Sequence, residues 1–306
     1  MGGEKRGLRS ASARIEPLTA ASVLLALAVS VLWGGNLVSI RIGVESVPPL
    51  WSAFWRMALG VVLVTGWSLH KGVAIWPARQ ERWPLFALSV LFTAQIGLLN
   101  SGTALTSPAF GVVILNSYAV FANITGHFFP GMERPINGPR ALGLMLAVAG
   151  MVVLTFGQGS SQLAPNPLAG NTLLILSAVL LGVRQVYTRW LVQQIDPART
   201  VVWQMLGSVP LFLLIAVATE PPSYGTVTFE AVAAIAYQGA AVAGICFIVW
   251  AELLKRHAAG TLSMFGFLVP ITGIALSGYF FGEPLRLTLL GGGVLVLSGV
   301  YTVTRP

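Results

Sequence analysis

The chain has 306 residues, 55% of them hydrophobic and only 9% charged, with a mean hydropathy of +0.79 and a formal net charge of +8. A soluble chain of this length would form about two domains and carry about 25% charged residues, so the composition excludes an ordinary soluble protein and leaves the bilayer as solvent. Nucleic acid is excluded as a partner too, because the basic residues scatter at segment ends and form no stripe interleaved with aromatics.

Apolar segments of about 20 residues, enough to cross a ~30 Å hydrocarbon core at 1.5 Å per residue, follow one another along the chain. In order they predict spans at 18–40, 48–70, 84–103, 108–130, 139–157, 168–190, 197–219, 230–254, 259–282 and 287–304. The connectors carry the expected breakers: Pro48-Pro49, Ser107-Pro108, PGMERPINGP at 130–139, GQGSSQLAPNPLAGN at 157–171 and EPPSYG from Glu220. The first apolar run continues past signal-peptide length into the polar WGGN at 33–36, with no small-residue cleavage site, which predicts an uncleaved first helix behind a basic tail at 1–17. Cys246, the single cysteine, lies inside an apolar segment, so no disulfide framework exists and packing is its expected role.

With the N-terminus in the cytoplasm, Lys5, Arg6, Arg9, Arg14, Lys71, Arg79, Arg82, Arg134, Arg140, Arg189, Arg199, Lys255, Arg256 and Arg305 all fall inside. Only Arg41 and Arg286 fall outside. The positive-inside rule therefore predicts cytoplasmic termini and an even number of spans, and the expected location is the inner membrane.

A shift of 148 residues sets Gly34 on Gly182, Arg41 on Arg189, Pro49 on Pro197, Trp55 on Trp203 and Met57 on Met205. A shift of 149 sets Pro135 on Pro284, Gly143 on Gly292 and Gly150 on Gly299. Each half holds five spans, an odd number, so the second copy must enter the membrane upside down relative to the first. The expected fold class is an all-α membrane protein of ten transmembrane helices built as two inverted five-helix repeats, 18–157 and 168–304, joined by a linker at 158–167. Such repeats place a site near the midplane and serve alternating access.

The opening LWGGNLVSIRIGVESVPPLWSAFWRMALG, the LVPITGIALSGYFFGEPL of the ninth span and the glycine-spaced last span resemble the EamA-type exporters of the drug/metabolite transporter superfamily. The resemblance runs from about residue 18 to 304. NSYAVFAN stands where the family often has a proline in the fourth span, and FFPGMERP replaces the compact Gly-Glu turn. The resemblance implies ten helices, cytoplasmic termini, a central cavity lined by the first, third, fourth, sixth, eighth and ninth spans, and export of small metabolites, amino acids among them.

Catalytic patterns are missing. No Gly-Lys pair is present for a nucleotide-phosphate loop, Asp196 is the only aspartate, no G-x-S-x-G occurs, and His70, His127 and His257 are far apart in sequence. We therefore expect no enzyme activity, no cofactor and no metal.

Polar residues inside the spans are the site candidates. Asn36, Asn100, Asn116, Tyr118, Asn123, Gln185, Tyr187, Tyr237 and Gln238 are expected to bind substrate, with Asn116 and Asn123 one heptad apart on one helix face. The alternative for these groups is interhelical hydrogen bonding. Arg184 and Glu252 are expected to pair and close the inner mouth; otherwise Arg184 snorkels to lipid phosphate and Glu252 offsets Lys255 and Arg256. His127 is the candidate proton carrier, or else a helix-end residue touching water. Arg56 is expected to be a structural anchor with Glu45 as its carboxylate, and Gly34 and Gly35 to let the first helix bend or approach a neighbour. Glycines 143, 150, 291, 292, 293 and 299 fit close packing, either within the scaffold or at a dimer contact.

These features point to a secondary exporter of a small polar or amphipathic metabolite, amino acids first, with protons as the candidate coupling ion, acting as a monomer or homodimer. The runner-up is an antiporter of phosphorylated or nucleotide-linked sugars, which needs several cations in its cavity. From other classes, a membrane enzyme or a non-transporting subunit competes.

Overall fold

The structure, a computed structural model, describes residues 17–128, 138–221, 226–257, 262 and 264–304, and all regular elements among them are helical. We number the helices α1 (Ala20–Val44), α2 (Pro49–His70), α3 (Arg82–Leu105), α4 (108–128), α5 (Gly138–Gly157), α6 (Pro167–Val192), α7 (Pro197–Thr219), α8 (Phe229–Arg256), α9 (Leu268–Phe281) and α10 (Leu287–Thr304). Among the described residues nine helices are long and apolar enough to cross a membrane, and α9, with the turn before it, adds a shorter apolar helix at Phe265–Phe281. This is the ten-helix membrane fold. The first helix runs to Val44 instead of ending near residue 40, because its glycines bend it without stopping it. Most of the basic tail, the 129–137 part of the fourth connector and residues 258–261 at the predicted start of the ninth span lie outside the described residues.

Helix starts follow local chemistry. Pro49, Pro108, Pro167 and Pro197 open α2, α4, α6 and α7, where the first N–H groups have no intrahelical acceptor and a proline sacrifices nothing. Ser107, Asn166 and Asp196 cap three of these starts with side-chain oxygens.

Three helices depart from regular geometry, and all three reach the centre of the molecule. α1 breaks at Gly35, where the Tyr237 hydroxyl donates to the Leu32 carbonyl at 2.5 Å. A Cβ on Gly35 would stand 2.9 Å from that hydroxyl, so the insertion needs glycine there. α4 breaks at Ser117, whose hydroxyl donates back to the Ile114 carbonyl at 2.6 Å. α8 widens into a π-helical segment over Gln238–Cys246, a geometry that recurs at functional sites.

The two repeats pack as an inverted pair. α3 lies on α6 as α8 lies on α1; α4 lies on α6 as α9 lies on α1; α3 lies on α7 as α8 lies on α2. α5–α10, α2–α7 and α4–α9 are their own counterparts under the exchange. The glycines obey the same rule. A Cβ on Gly34 would meet Thr272 of α9 at 2.5 Å, and one on its equivalent, Gly182, would meet the Ala122 amide of α4 at 2.7 Å. Gly143 faces Gly299 and Gly150 faces Gly292 across α5–α10, so these four serve an internal seam. Leu24, Val62, Leu214 and Phe229 point outward, as the lipid-facing surface of such a bundle requires.

Carboxylates tie the repeats on the predicted outer face. Glu220, past the end of α7, accepts from the Leu50 and Trp51 amides of α2 at 2.9 to 3.1 Å. Glu283, between α9 and α10, accepts from the Ser107 hydroxyl, from the Ser277 hydroxyl at 2.6 Å and from the Ala109 amide at 3.4 Å. On the opposite face the α2–α3 connection holds α7: Glu81 pairs with Arg199 at 2.9 Å, and the Trp203 indole donates to the Ile75 carbonyl at 2.7 Å.

Candidate functional site

A cavity of about 100 Å³ lies between the repeats, lined by residues of α1, α2, α3, α4, α6, α8 and the turn and first residues of α9. Six of these seven contributors are the spans expected from the resemblance. The seventh, α2, brings Arg56.

Of the residues expected to bind substrate, Asn36, Asn116, Tyr118 and Gln185 line the cavity. The break at Gly35 sets Asn36 there at the start of the second half of α1. The others stand elsewhere. Asn100 is fully buried and donates to the Ile96 carbonyl of its own helix at 2.9 Å. Asn123 does the same to Ala119 at 2.8 Å, and the break at Ser117 separates it from the Asn116 face that an unbroken heptad would share. Tyr187 donates to the Pro84 carbonyl at 3.1 Å and stacks on Trp190. Tyr237 is committed to α1. Gln238 is fully buried against Gly43 with neither amide atom hydrogen-bonded. His127 lies in the last turn of α4, and its side chain falls outside the described residues.

The expected Arg184–Glu252 pair does not form. Glu252 lies near the end of α8, where Arg256 one turn on takes it at 3.8 Å, and it keeps 37% of its side chain exposed. Arg184 instead turns inward over two ring faces, with its Cζ 5.0 Å from the Phe92 centroid and 5.8 Å from that of Phe247. A guanidinium above an aromatic face is attracted by the ring quadrupole, more strongly where water is thin. Glu252→Gln should accordingly change stability by about 0.5 kcal/mol or less, the scale of an exposed i,i+4 pair, as read from thermal unfolding in detergent.

Arg56 also departs from expectation. Glu45, its proposed partner, is exposed, and the ion pairs among the described residues are Glu81–Arg199 and Glu252–Arg256. Arg56 is 1% exposed, and its Nε and Nη1 are buried without a hydrogen-bond partner, as is Nε of Arg184. Among the described residues, no carboxylate lines the cavity. Two guanidinium groups therefore face a shielded space with no protein anion to balance them, a costly arrangement in a medium of low dielectric.

Unpaired acceptors accompany these donors. The Gln95 amide is held by Ser177, donating to its hydroxyl at 3.0 Å, while its Oε1 has no partner. Oδ1 of Asn36 is likewise buried and unpaired. Trp33, Phe247 and Trp250 supply aromatic wall, with Trp33 set edge-on to both of the others. Sequence reasoning passed over Gln95, Trp33 and Trp250. A lone amide in the apolar FTAQIGLL was the available signal for the first, and the tryptophans carry none that separates a cavity wall from a lipid-facing belt.

A bundle of inverted repeats around a central cavity whose lining includes unpaired polar groups is the architecture of a membrane transporter. The chain belongs to the EamA-like transporter family, whose sequence profile matches it twice, at residues 20–156 and 168–305. The "Probable amino-acid metabolite efflux pump" of Escherichia coli (strain K12) is 26% identical over 292 residues, covering 91% of this chain and 93% of that protein. Its namesake in Salmonella typhimurium is 25% identical over 291 residues, covering 90% and 92%. The "Uncharacterized transporter YoaV" of Bacillus subtilis is 20% identical over 280 residues, covering 91% and 94%. A solved crystal structure at 18% identity superposes with a TM-score of 0.67 over 93% of this chain and 96% of its own, and shares the fold.

Proposed function

We propose that this transporter is a secondary exporter of small polar or amphipathic metabolites, amino acids being the first class, across the inner membrane by alternating access. The observation that carries the reading is the central cavity between inverted repeats, whose largely apolar lining includes polar groups left without protein partners. Relatives named as amino-acid metabolite efflux pumps support the substrate class. The distribution of basic residues supports cytoplasmic termini. In this reading the moving bodies are the repeats 18–157 and 168–304, with 158–167 as linker and 1–17 as a cytoplasmic tail. Proton coupling belongs to the same proposal, with His127 and Glu252 as its candidate groups, and the working unit is a monomer or homodimer.

The sugar-phosphate antiporter gains a second buried cation from Arg56, while the relatives named as amino-acid metabolite efflux pumps favour the first reading. The test is efflux of a labelled amino-acid mixture from proteoliposomes holding the purified protein, with and without an imposed pH gradient. Saturable efflux above empty liposomes is the expected result, and a response to the gradient would establish proton coupling. Efflux equal to empty liposomes for every amino acid would remove the amino-acid class.

A further inference from the structure

We infer that Arg56 and Arg184 form a carboxylate subsite in the central cavity, and that the carboxylate of the transported molecule, more than its ammonium group, is what the site selects. The inference rests on the transporter reading above and names the chemistry of its site.

Arg56 and Arg184 line one cavity, each has buried nitrogen without an acceptor, and among the described residues no carboxylate lines that cavity. A protein normally keeps such charge only beside an anion, because an unpaired buried charge loses its hydration for nothing. Here the anion has to come from the ligand. A guanidinium–carboxylate contact is a charge-assisted hydrogen bond, stronger than those between neutral groups and directional in its geometry. The opposite end of a zwitterion finds no charged acceptor among the described lining residues, only neutral ones such as those of Asn36, Gln95, Asn116 and Gln185. An ammonium placed there gains dipoles but no counter-charge, and it also feels two cations. The electrostatic preference therefore runs toward acids and away from amines.

The placement also ties recognition to the fold. Arg56 comes from α2 of the first repeat and Arg184 from α6 of the second, so one carboxylate touching both bridges the two repeats. Arg184 already sits close to the Phe92 and Phe247 rings, which restrict its position before ligand arrives. The apolar part of the ligand would then lie against the Trp33 and Trp250 walls.

Isothermal titration of the purified full chain with leucine, isocaproate, isopentylamine and leucinamide tests this directly. These share one side chain and differ in which charges they keep. Isocaproate should bind within about tenfold of leucine, while isopentylamine and leucinamide should bind at least about tenfold more weakly than isocaproate. Arg56→Gln and Arg184→Gln should each remove most of that discrimination; should either variant fail to fold, the wild-type series still decides. Isopentylamine or leucinamide binding as tightly as isocaproate overturns the subsite and leaves the amino-acid exporter reading standing. Binding of isocaproate without leucine keeps the subsite and moves the exporter from amino acids to organic acids. No binding by any of the four, on folded protein, overturns the subsite, and proteoliposome efflux of the amino-acid mixture then judges the exporter reading separately.

Discussion

Gly299→Ala should lower stability by about 2 kcal/mol, a fall of about 4 °C or more in the thermal midpoint, through the addition of one methyl group. The methyl would stand 2.5 Å from the Gly143 carbonyl oxygen and 2.6 Å from the Ala147 amide, both backbone atoms that no rotamer change can move aside. α5 and α10 would have to separate along their whole contact. In a bilayer that contact is held by close packing and weak hydrogen bonds, since lipid tails are as apolar as the side chains, so separation forfeits most of what joins the pair. Gly291→Ala, two turns earlier on α10, is the control, because a Cβ there meets nothing within 4 Å. Equal midpoints for the two variants would show that the seam tolerates separation.

Glu283→Ala should cost about 3 kcal/mol, because it strands two hydroxyls and one backbone amide that now donate to a carboxylate. The loss falls where α9 of the second repeat holds the start of α4 of the first. Glu283→Gln keeps an acceptor and should recover about half of it, while Glu230→Ala, exposed at the start of α8, should leave the midpoint unchanged. Thermal unfolding of the three variants in one detergent checks the order. An unchanged midpoint for Glu283→Ala would mean that water replaces the carboxylate fully.

What could be read from the residues follows from how each signal is written. Ten apolar runs and their breakers are carried by local composition, so the helices were legible; the recurring offset of 148 to 149 residues disclosed the duplication, and five spans per half its inversion. Which side of a helix faces the cavity is a different matter. A helix that is apolar all round has no polar face to fix its rotation about its own axis, so Asn36 and Asn116 could not be told from Asn100 and Asn123 by spacing. The breaks at Gly35 and Ser117 then reset the phase partway along α1 and α4. The first announced itself as a glycine pair; Ser117 has no such mark. Arg56 illustrates a second limit. A buried arginine predicts a carboxylate by default, and the nearest one in sequence, Glu45, was a proximity argument that the helix geometry did not honour.

The α5–α10 seam has a further consequence for any cycle in which the repeats exchange shapes. The pseudo-two-fold carries the Gly143–Gly299 contact onto Gly292–Gly150, so the seam maps onto itself, whereas α3–α6 maps onto the separate pair α8–α1. Swapping the repeats' conformations interchanges the latter two contacts and leaves the seam as it was. In such a cycle α5 and α10, whose facing glycines lie outside the cavity lining, would serve as a fixed spine, while α3–α6 and α8–α1 trade arrangements around the cavity.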